Sequence, residues 1–136
     1  MTVQLNVTDM RDGSSKHLEY DRLPITMGRE DTNRLQLADT RVSRMHATIV
    51  WEDERLVLCD LGSRNGTYIK GLKLPRYAVR PLDWRFTFAV GPFVVHGTLE
   101  RVEVVSLDAE TRVVSADEMA RLHPEDAAIT VVRRTA

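Results

Sequence analysis

Ala47-Thr48-Ile49-Val50-Trp51, then Glu52-Asp53-Glu54, then Leu56-Val57-Leu58-Cys59-Asp60 is the stretch that decides the fold class. Two short runs rich in β-branched, aromatic and apolar residues flank a wholly acidic tip, the pattern of two strands joined by a hairpin. The same pattern repeats outward in both directions. Thr2 to Val7, His17 to Tyr20, Ile25 to Gly28, Thr67 to Lys70, Arg85 to Val90, Phe93 to Leu99 and Arg101 to Leu107 are enriched alike and separated by Gly, Pro, Asn and Asp clusters. Gly62 to Gly66 reads as a loop in which Asn65-Gly66 tolerates positive φ. No helix is expected before about residue 107, so the chain reads as all-β, a sandwich or barrel of many short strands.

Beyond that point the character changes. Ser115-Ala116-Asp117-Glu118 has capping-box spacing, Met119 and Leu122 share one helical face, and Pro124 ends the run, which predicts a short helix over about 116–122. Ala128 to Val132 reads as a possible extra strand and Arg133 to Ala136 as a frayed end. The chain therefore divides into residues 1–107 and an acidic C-terminal extension, 108–136.

At 136 residues the chain suits one domain with an appendage, large enough to bury a core without disulfides. Hydrophobic residues at 43% and charged residues at 29% exclude a disordered, collagen-like or coiled-coil chain. Nineteen Lys and Arg face twenty Asp and Glu, so the global positive field needed for sequence-independent nucleic-acid binding is missing. The lone Cys59, in an apolar run, reads as a small buried hydrophobe. A single thiol, no apolar run long enough for a membrane span and no signal-peptide pattern at Met1-Thr2-Val3-Gln4-Leu5 together suggest a cytoplasmic protein. Sixteen of the nineteen basic residues are Arg, which points to a GC-rich, bacterial genome.

The distribution of charge says more than its total. Residues 28–80 carry ten basic and seven acidic groups, a surplus of three, whereas 100–136 carry five and eight. Arg29, Arg34, Arg41, Arg44 and Arg64 all fall in expected turns or strand ends, where loops at one end of a strand-built domain can converge on one anion. Three short strings supply the matching chemistry: Gly28-Arg29, Ser43-Arg44-Met45-His46 and Ser63-Arg64-Asn65-Gly66-Thr67. Arg offers a rigid fork of donors, Ser a rotatable hydroxyl, and Asn an amide that can hold a peptide backbone, the inventory that grips a dianionic phosphate.

Gly28-Arg29, the spacer from Glu30 to Val42, Ser43-Arg44-x-His46-Ala47-x-Ile49 and Asp60-Leu61-Gly62-Ser63-x-Asn65-Gly66-Thr67 resemble the forkhead-associated (FHA) domain. The specific match runs from about Ile25 to Gly71, and the strand-rich flanks extend it loosely over 1–107. The resemblance implies a two-sheet β-sandwich that binds phosphothreonine peptides through loops at one end, with no catalytic activity, cofactor or metal. It implies a partner protein phosphorylated in a Ser/Thr kinase pathway. It further implies that Arg29 contacts phosphate or peptide, Ser43 donates its hydroxyl to the phosphate, Arg44 adds charge, Asn65 holds the peptide main chain and Arg64 makes a second contact. His46 would buttress the Ser43 loop, and Gly28, Gly66 and Thr67 would shape the turns. Arg41 would read the side chain three residues after the phosphothreonine and favour Asp or Glu.

The sequence also departs from the family. Arg34 stands where an acidic residue is common, Lys70 replaces a common Asn before Gly71, and Pro81-Leu82-Asp83-Trp84 stands in place of a Gly-Asp turn. Two other functions compete. Ser43 and His46 could be nucleophile and base with Asp39 or Asp60 as orienter, but no oxyanion hole or nucleophile elbow accompanies them. A phosphate-independent interaction or dimerisation scaffold is the alternative, although such a scaffold has no need of Arg29, Ser43 and Asn65 together. His17, His46, His96 and His123 lack metal-ligand spacing. No threonine is followed three residues later by Asp or Glu, Thr111 and Thr130 leading instead to Val114 and Arg133, so binding in trans is favoured over self-recognition; a monomer is the favoured state.

Overall fold

The computed structural model describes residues 1–106, 111–114 and 129–135. In chain order these form β1 (Thr2–Asp9), β2 (Ser15–Tyr20), β3 (Ile25–Gly28), β4 (Leu35–Gln36), β5 (Ala47–Glu52), β6 (Arg55–Asp60), β7 (Thr67–Ile69), β8 (Leu72–Lys73), β9 (Val79–Pro81), β10 (Arg85–Val90), β11 (Phe93–Ser106), β12 (Thr111–Val114) and β13 (Ile129–Thr135). One sheet runs β2-β1-β11-β10-β7-β8, with β12 and β13 both paired to β11, and the other runs β4-β3-β5-β6-β9. The expected all-β, two-sheet sandwich is the observed fold. The helix expected over 116–122 lies outside the described residues.

Alternation places the core between the sheets. From one sheet Val3, Leu5, Val7, Phe86, Phe88, Val90, Val95 and Leu99 face inward, and from the other Ile25, Met27, Ala47, Ile49, Leu56 and Leu58 meet them. Each large apolar side chain removed from water this way contributes roughly 1.5–3 kcal/mol before entropy is counted. Gly97 opposes Phe86 across the β10–β11 ladder, and a Cβ there would lie 2.1 Å from the ring, so the glycine is the space that the ring fills.

The structure corrects several boundaries. The two strands expected over 93–99 and 101–107 are replaced by one strand, β11, Phe93–Ser106, because no turn-forming residue interrupts the run at Glu100, which pairs with Thr2. The strands β4, β8 and β9 hold only two or three residues each, too few to display alternation in the sequence. The possible strand at 128–132 is β13, and it continues through Arg133 and Arg134, expected as a frayed end. Cys59 is half-buried on the outward side of β6, opposite Thr48 and Val79, rather than in the core, and burial pushes its thiol up.

Strand directions gather five connections at one end, β1–β2, β4–β5, β6–β7, β8–β9 and β10–β11, and the connection between the parallel strands β3 and β4 begins there. Contacts tie them together. Met10 N–H donates to Pro92 O at 2.9 Å, and a Cβ on Gly91 would lie 2.9 Å from Val42 Cγ2. The β5–β6 hairpin is at the opposite end, its Asp53 and Glu54 both left-handed at φ 51° and 62°.

Candidate functional site

At the gathered end, the sequence strings Gly28-Arg29, Ser43-Arg44 and Arg64-Asn65 meet in a cleft of about 400 Å³ lined by Arg29, Thr40, Arg41, Val42, Ser43, Arg44, Met45, Arg64 and Asn65. Backbone pairing starts the assembly. Arg29 N–H donates to Ser43 O at 2.9 Å and His46 N–H to Met27 O at 2.9 Å, which lays the β4–β5 loop against the end of β3. Gly28 permits that approach, since a Cβ would come within 2.1 Å of the Arg44 carbonyl oxygen.

His46 joins two of the loops. It is fully buried; its Nδ1 accepts the Ser43 N–H at 3.1 Å, which places the proton on Nε2, where it donates to Gly66 O at 2.9 Å. Burial lowers its pKa below the usual 6.5 despite the Gly66 carbonyl, so the ring stays neutral and keeps Nδ1 as an acceptor. Ser43 Oγ in turn accepts the Arg64 N–H at 3.0 Å. That bond uses a lone pair and leaves the hydroxyl proton to donate to a ligand. Both imidazole nitrogens are engaged with backbone groups, so the Ser43–His46 pair lacks the hydroxyl-to-imidazole bond a nucleophile needs.

Asp60 shapes the loop that carries Arg64 and Asn65. Its carboxylate accepts from Gly62 N–H at 2.9 Å, Ser63 N–H at 3.1 Å, Thr67 Oγ1 at 2.8 Å, the Ser63 hydroxyl and Tyr77 N–H. Burial alone would raise its pKa, but the Ser63 and Thr67 hydroxyls together with the Ser63 and Tyr77 N–H groups outweigh burial and lower it. Asn33 performs the equivalent task under Arg44: its Nδ2 donates to Glu30 O at 2.9 Å and Arg44 O at 2.8 Å. Two carbonyl acceptors fix the orientation of that amide, and its buried Oδ1 goes without a partner among the described residues.

The cations differ in readiness. Among the described residues the guanidinium groups of Arg29 and Arg64 make no hydrogen bond or ion pair. Arg44 is 74% exposed and reaches Glu30 only at 3.9 Å. Arg41 is bonded to Asp39, and Asn65 Nδ2 donates to Arg41 O at 2.8 Å, which leaves its Oδ1 and one N–H open. Arg34, grouped in the sequence with the basic loops, does not join them. It donates to Arg22 O at 2.6 Å and Pro24 O at 2.7 Å and stacks on Tyr20, closing the β2–β3 connection.

Sequence reasoning missed Asn33, Arg11 and the role of Asp39, and considered Asp60 only as a catalytic orienter. The Asp39-Thr40-Arg41 order does carry an Asx-turn signal, realised as the Arg41 N–H bond to Asp39 Oδ1 at 2.8 Å. Among the described residues, no three His, Cys, Asp or Glu side chains group so as to hold a metal ion, and no helix is long and apolar enough to cross a membrane.

A β-sandwich that presents hydroxyl, amide and guanidinium donors from loops at one end has the chemistry of an anion-recognition site. Residues 25–89 match the family model of the FHA domain. The FHA domain of Chlamydia trachomatis CT664 is 25% identical with a TM-score of 0.58, and the match covers 73% of this chain and 98% of that one. The N-terminal FHA domain of Saccharomyces cerevisiae Rad53p, solved with a phosphothreonine peptide, has the same fold at 21% identity and a TM-score of 0.60, covering 73% of this chain and 94% of that one. Mycobacterium tuberculosis EmbR, solved with a low-affinity phosphopeptide, is 22% identical with a TM-score of 0.56; the match covers 70% of this chain but spans only 24% of EmbR. No curated protein sequence is a significant match to the chain.

Proposed function

We propose that this protein binds a threonine-phosphorylated segment of another protein in the cleft formed by Arg29, Ser43, Arg44, Arg64 and Asn65, and so acts as a signalling adaptor downstream of a Ser/Thr kinase. One observation carries the reading: two unpaired guanidinium groups, Arg29 and Arg64, line the same cleft as a Ser43 hydroxyl whose proton is free. A phosphothreonine brings about −1.5 to −2 charges and three acceptor oxygens to such donors, and charge-assisted bonds are roughly twice as strong as neutral ones. Asn65 retains an acceptor and a donor for the peptide main chain, and Arg41, which lines the same cleft, is assigned in this proposal to the residue three positions after the phosphothreonine. The reading is of a monomeric, cytoplasmic, bacterial protein that needs no cofactor, metal, nucleic acid or membrane, and that performs no chemistry on its ligand. Residues 1–107 form the binding domain in this reading, with 108–136 as an appendage.

A loop-built, solvent-open site of this kind binds at about the micromolar level. Calorimetric titration with a phosphothreonine peptide and its unphosphorylated counterpart tests the proposal. The phosphorylated form is expected to bind, and Arg29→Ala or Ser43→Ala to weaken it about ten- to a hundredfold, the loss of one charge-assisted donor at about 1.5–3 kcal/mol. Equal binding of the two peptides would falsify it.

A further inference from the structure

Arg41 does not stand alone at the edge of the cleft. Its Nε and one terminal nitrogen donate to the Asp39 carboxylate at 2.9 Å and 3.1 Å, and the same carboxylate accepts Arg11 Nη1 at 2.9 Å. Arg11 belongs to the β1–β2 turn, outside the residues that match the family. There it grips Asp9 through Nε at 2.9 Å and Nη2 at 2.7 Å and covers the Phe93 ring at 5.3 Å. The Asp39 side chain is only 7% exposed, against 44% for Arg11 and 56% for Arg41, so the carboxylate is enclosed by the two guanidinium groups. Asp9, Arg11, Asp39 and Arg41 thus alternate in sign and sum to zero, while Asp12 on the same turn folds back to accept Ser14 N–H.

That neutrality depends on Arg11, without which two carboxylates would face Arg41 alone and leave the edge net negative. Asp39 bound to Arg41 alone would cancel the charge that a ligand carboxylate must find; shared with Arg11, it cancels only part of it. We infer that Arg11 is a positioning residue for ligand specificity, acting through Asp39 to keep the Arg41 edge of the cleft attractive to an acidic side chain three residues after the phosphothreonine. The inference rests on the phosphothreonine reading above. Arg41 and then Arg11 hold the Asp39 carboxyl down at about 2, so the network is fully charged near neutral pH.

The test compares two phosphothreonine peptides, identical except for Asp or Ala at the third following position, on the full chain and on Arg11→Gln and Arg11→Lys. Removing one charge from a solvent-exposed network is expected to cut the preference for Asp about threefold in Arg11→Gln. The Ala peptide should bind all three proteins alike, which also verifies that the loops are intact. Arg11→Lys keeps the charge without the fork and should retain most of the preference. An unchanged preference in Arg11→Gln, an equal loss in Arg11→Lys, a parallel loss for the Ala peptide, or no Asp preference in the parent chain overturns the inference while leaving phosphothreonine binding intact. Failure of the parent chain to distinguish phosphorylated from unphosphorylated peptide overturns both.

Discussion

His46 is the residue on which the cleft depends most without touching a ligand. It connects the backbone of the Ser43 loop to that of the Gly66 loop, and both bonds require the neutral ring with its proton on Nε2. Burial lowers its folded pKa below 6.5, whereas the unfolded chain takes up a proton at the ordinary value. The stability it contributes is therefore complete above about pH 6.5 and is lost as pH falls below that value through the folded pKa. His46→Gln should cost about 2–3 kcal/mol near neutral pH by leaving a buried backbone group poorly paired. It should also flatten the loss of stability between about pH 7 and pH 5.5, because an amide does not titrate there. Urea unfolding midpoints at the two pH values read both effects, and equal slopes for the two proteins would count against the assignment.

Among elements, the β7–β8 hairpin shows where local sequence conflicts with local geometry. Ile69 and Leu72 are paired, so Lys70 and Gly71 make a two-residue turn, and both are left-handed, at φ 52° and 76°. A turn of that hand favours Asn followed by Gly; Lys at the first position carries a steric cost that Asn largely avoids. Lys70→Asn should raise stability by about 0.5–1 kcal/mol, seen as a higher urea midpoint at unchanged slope. A lower midpoint would mean that the lysine side chain contributes more than its backbone strain costs. The hairpin also marks the limit of what the sequence discloses. Thr67 to Lys70 is legible as a strand because it is apolar and β-branched, but Leu72–Lys73 is two exposed residues that become a strand only by pairing with β7. The site divides in the same way. Arg29, Ser43, Arg44, Arg64 and Asn65 sit in short strings with recognisable spacing, whereas Arg11 and Asp39 are 28 positions apart, and Asn33 meets Arg44 across 11. Nothing local in the chain signals contacts made by strands that neighbour one another only after folding. Arg34 errs in the opposite direction, a basic loop residue by sequence whose donors the fold spends on the carbonyls of Arg22 and Pro24.

For the whole molecule, the question is how far the sandwich depends on the residues after it. The strand β11 is 14 residues long, and its two halves have different neighbours. From Phe93 to Glu100 it is bracketed by β1, and from Phe93 to Thr98 by β10 on its other side, whereas from Glu100 onward its partners are β12 and β13. The ladder that closes the core is thus complete before β12 begins. The cleft is likewise built only from residues 29–65, with Arg11 and Asp9 behind Asp39. Ending the chain after residue 107 is therefore expected to leave a cooperative fold with an unaltered phosphopeptide site. It also removes an extension, 108–136, in which acidic residues outnumber basic ones. At a screening length of about 8 Å in physiological salt, that removal should change phosphopeptide affinity by no more than about twofold. Thermal unfolding and peptide titration of the shortened chain separate three cases. A sharp transition with unchanged affinity supports an independent binding domain. Loss of the transition would show that pairing of β12 and β13 with β11 holds the sandwich together. A large gain in affinity, abolished by added salt, would show that the acidic extension competes with phosphate for Arg29, Arg44 and Arg64.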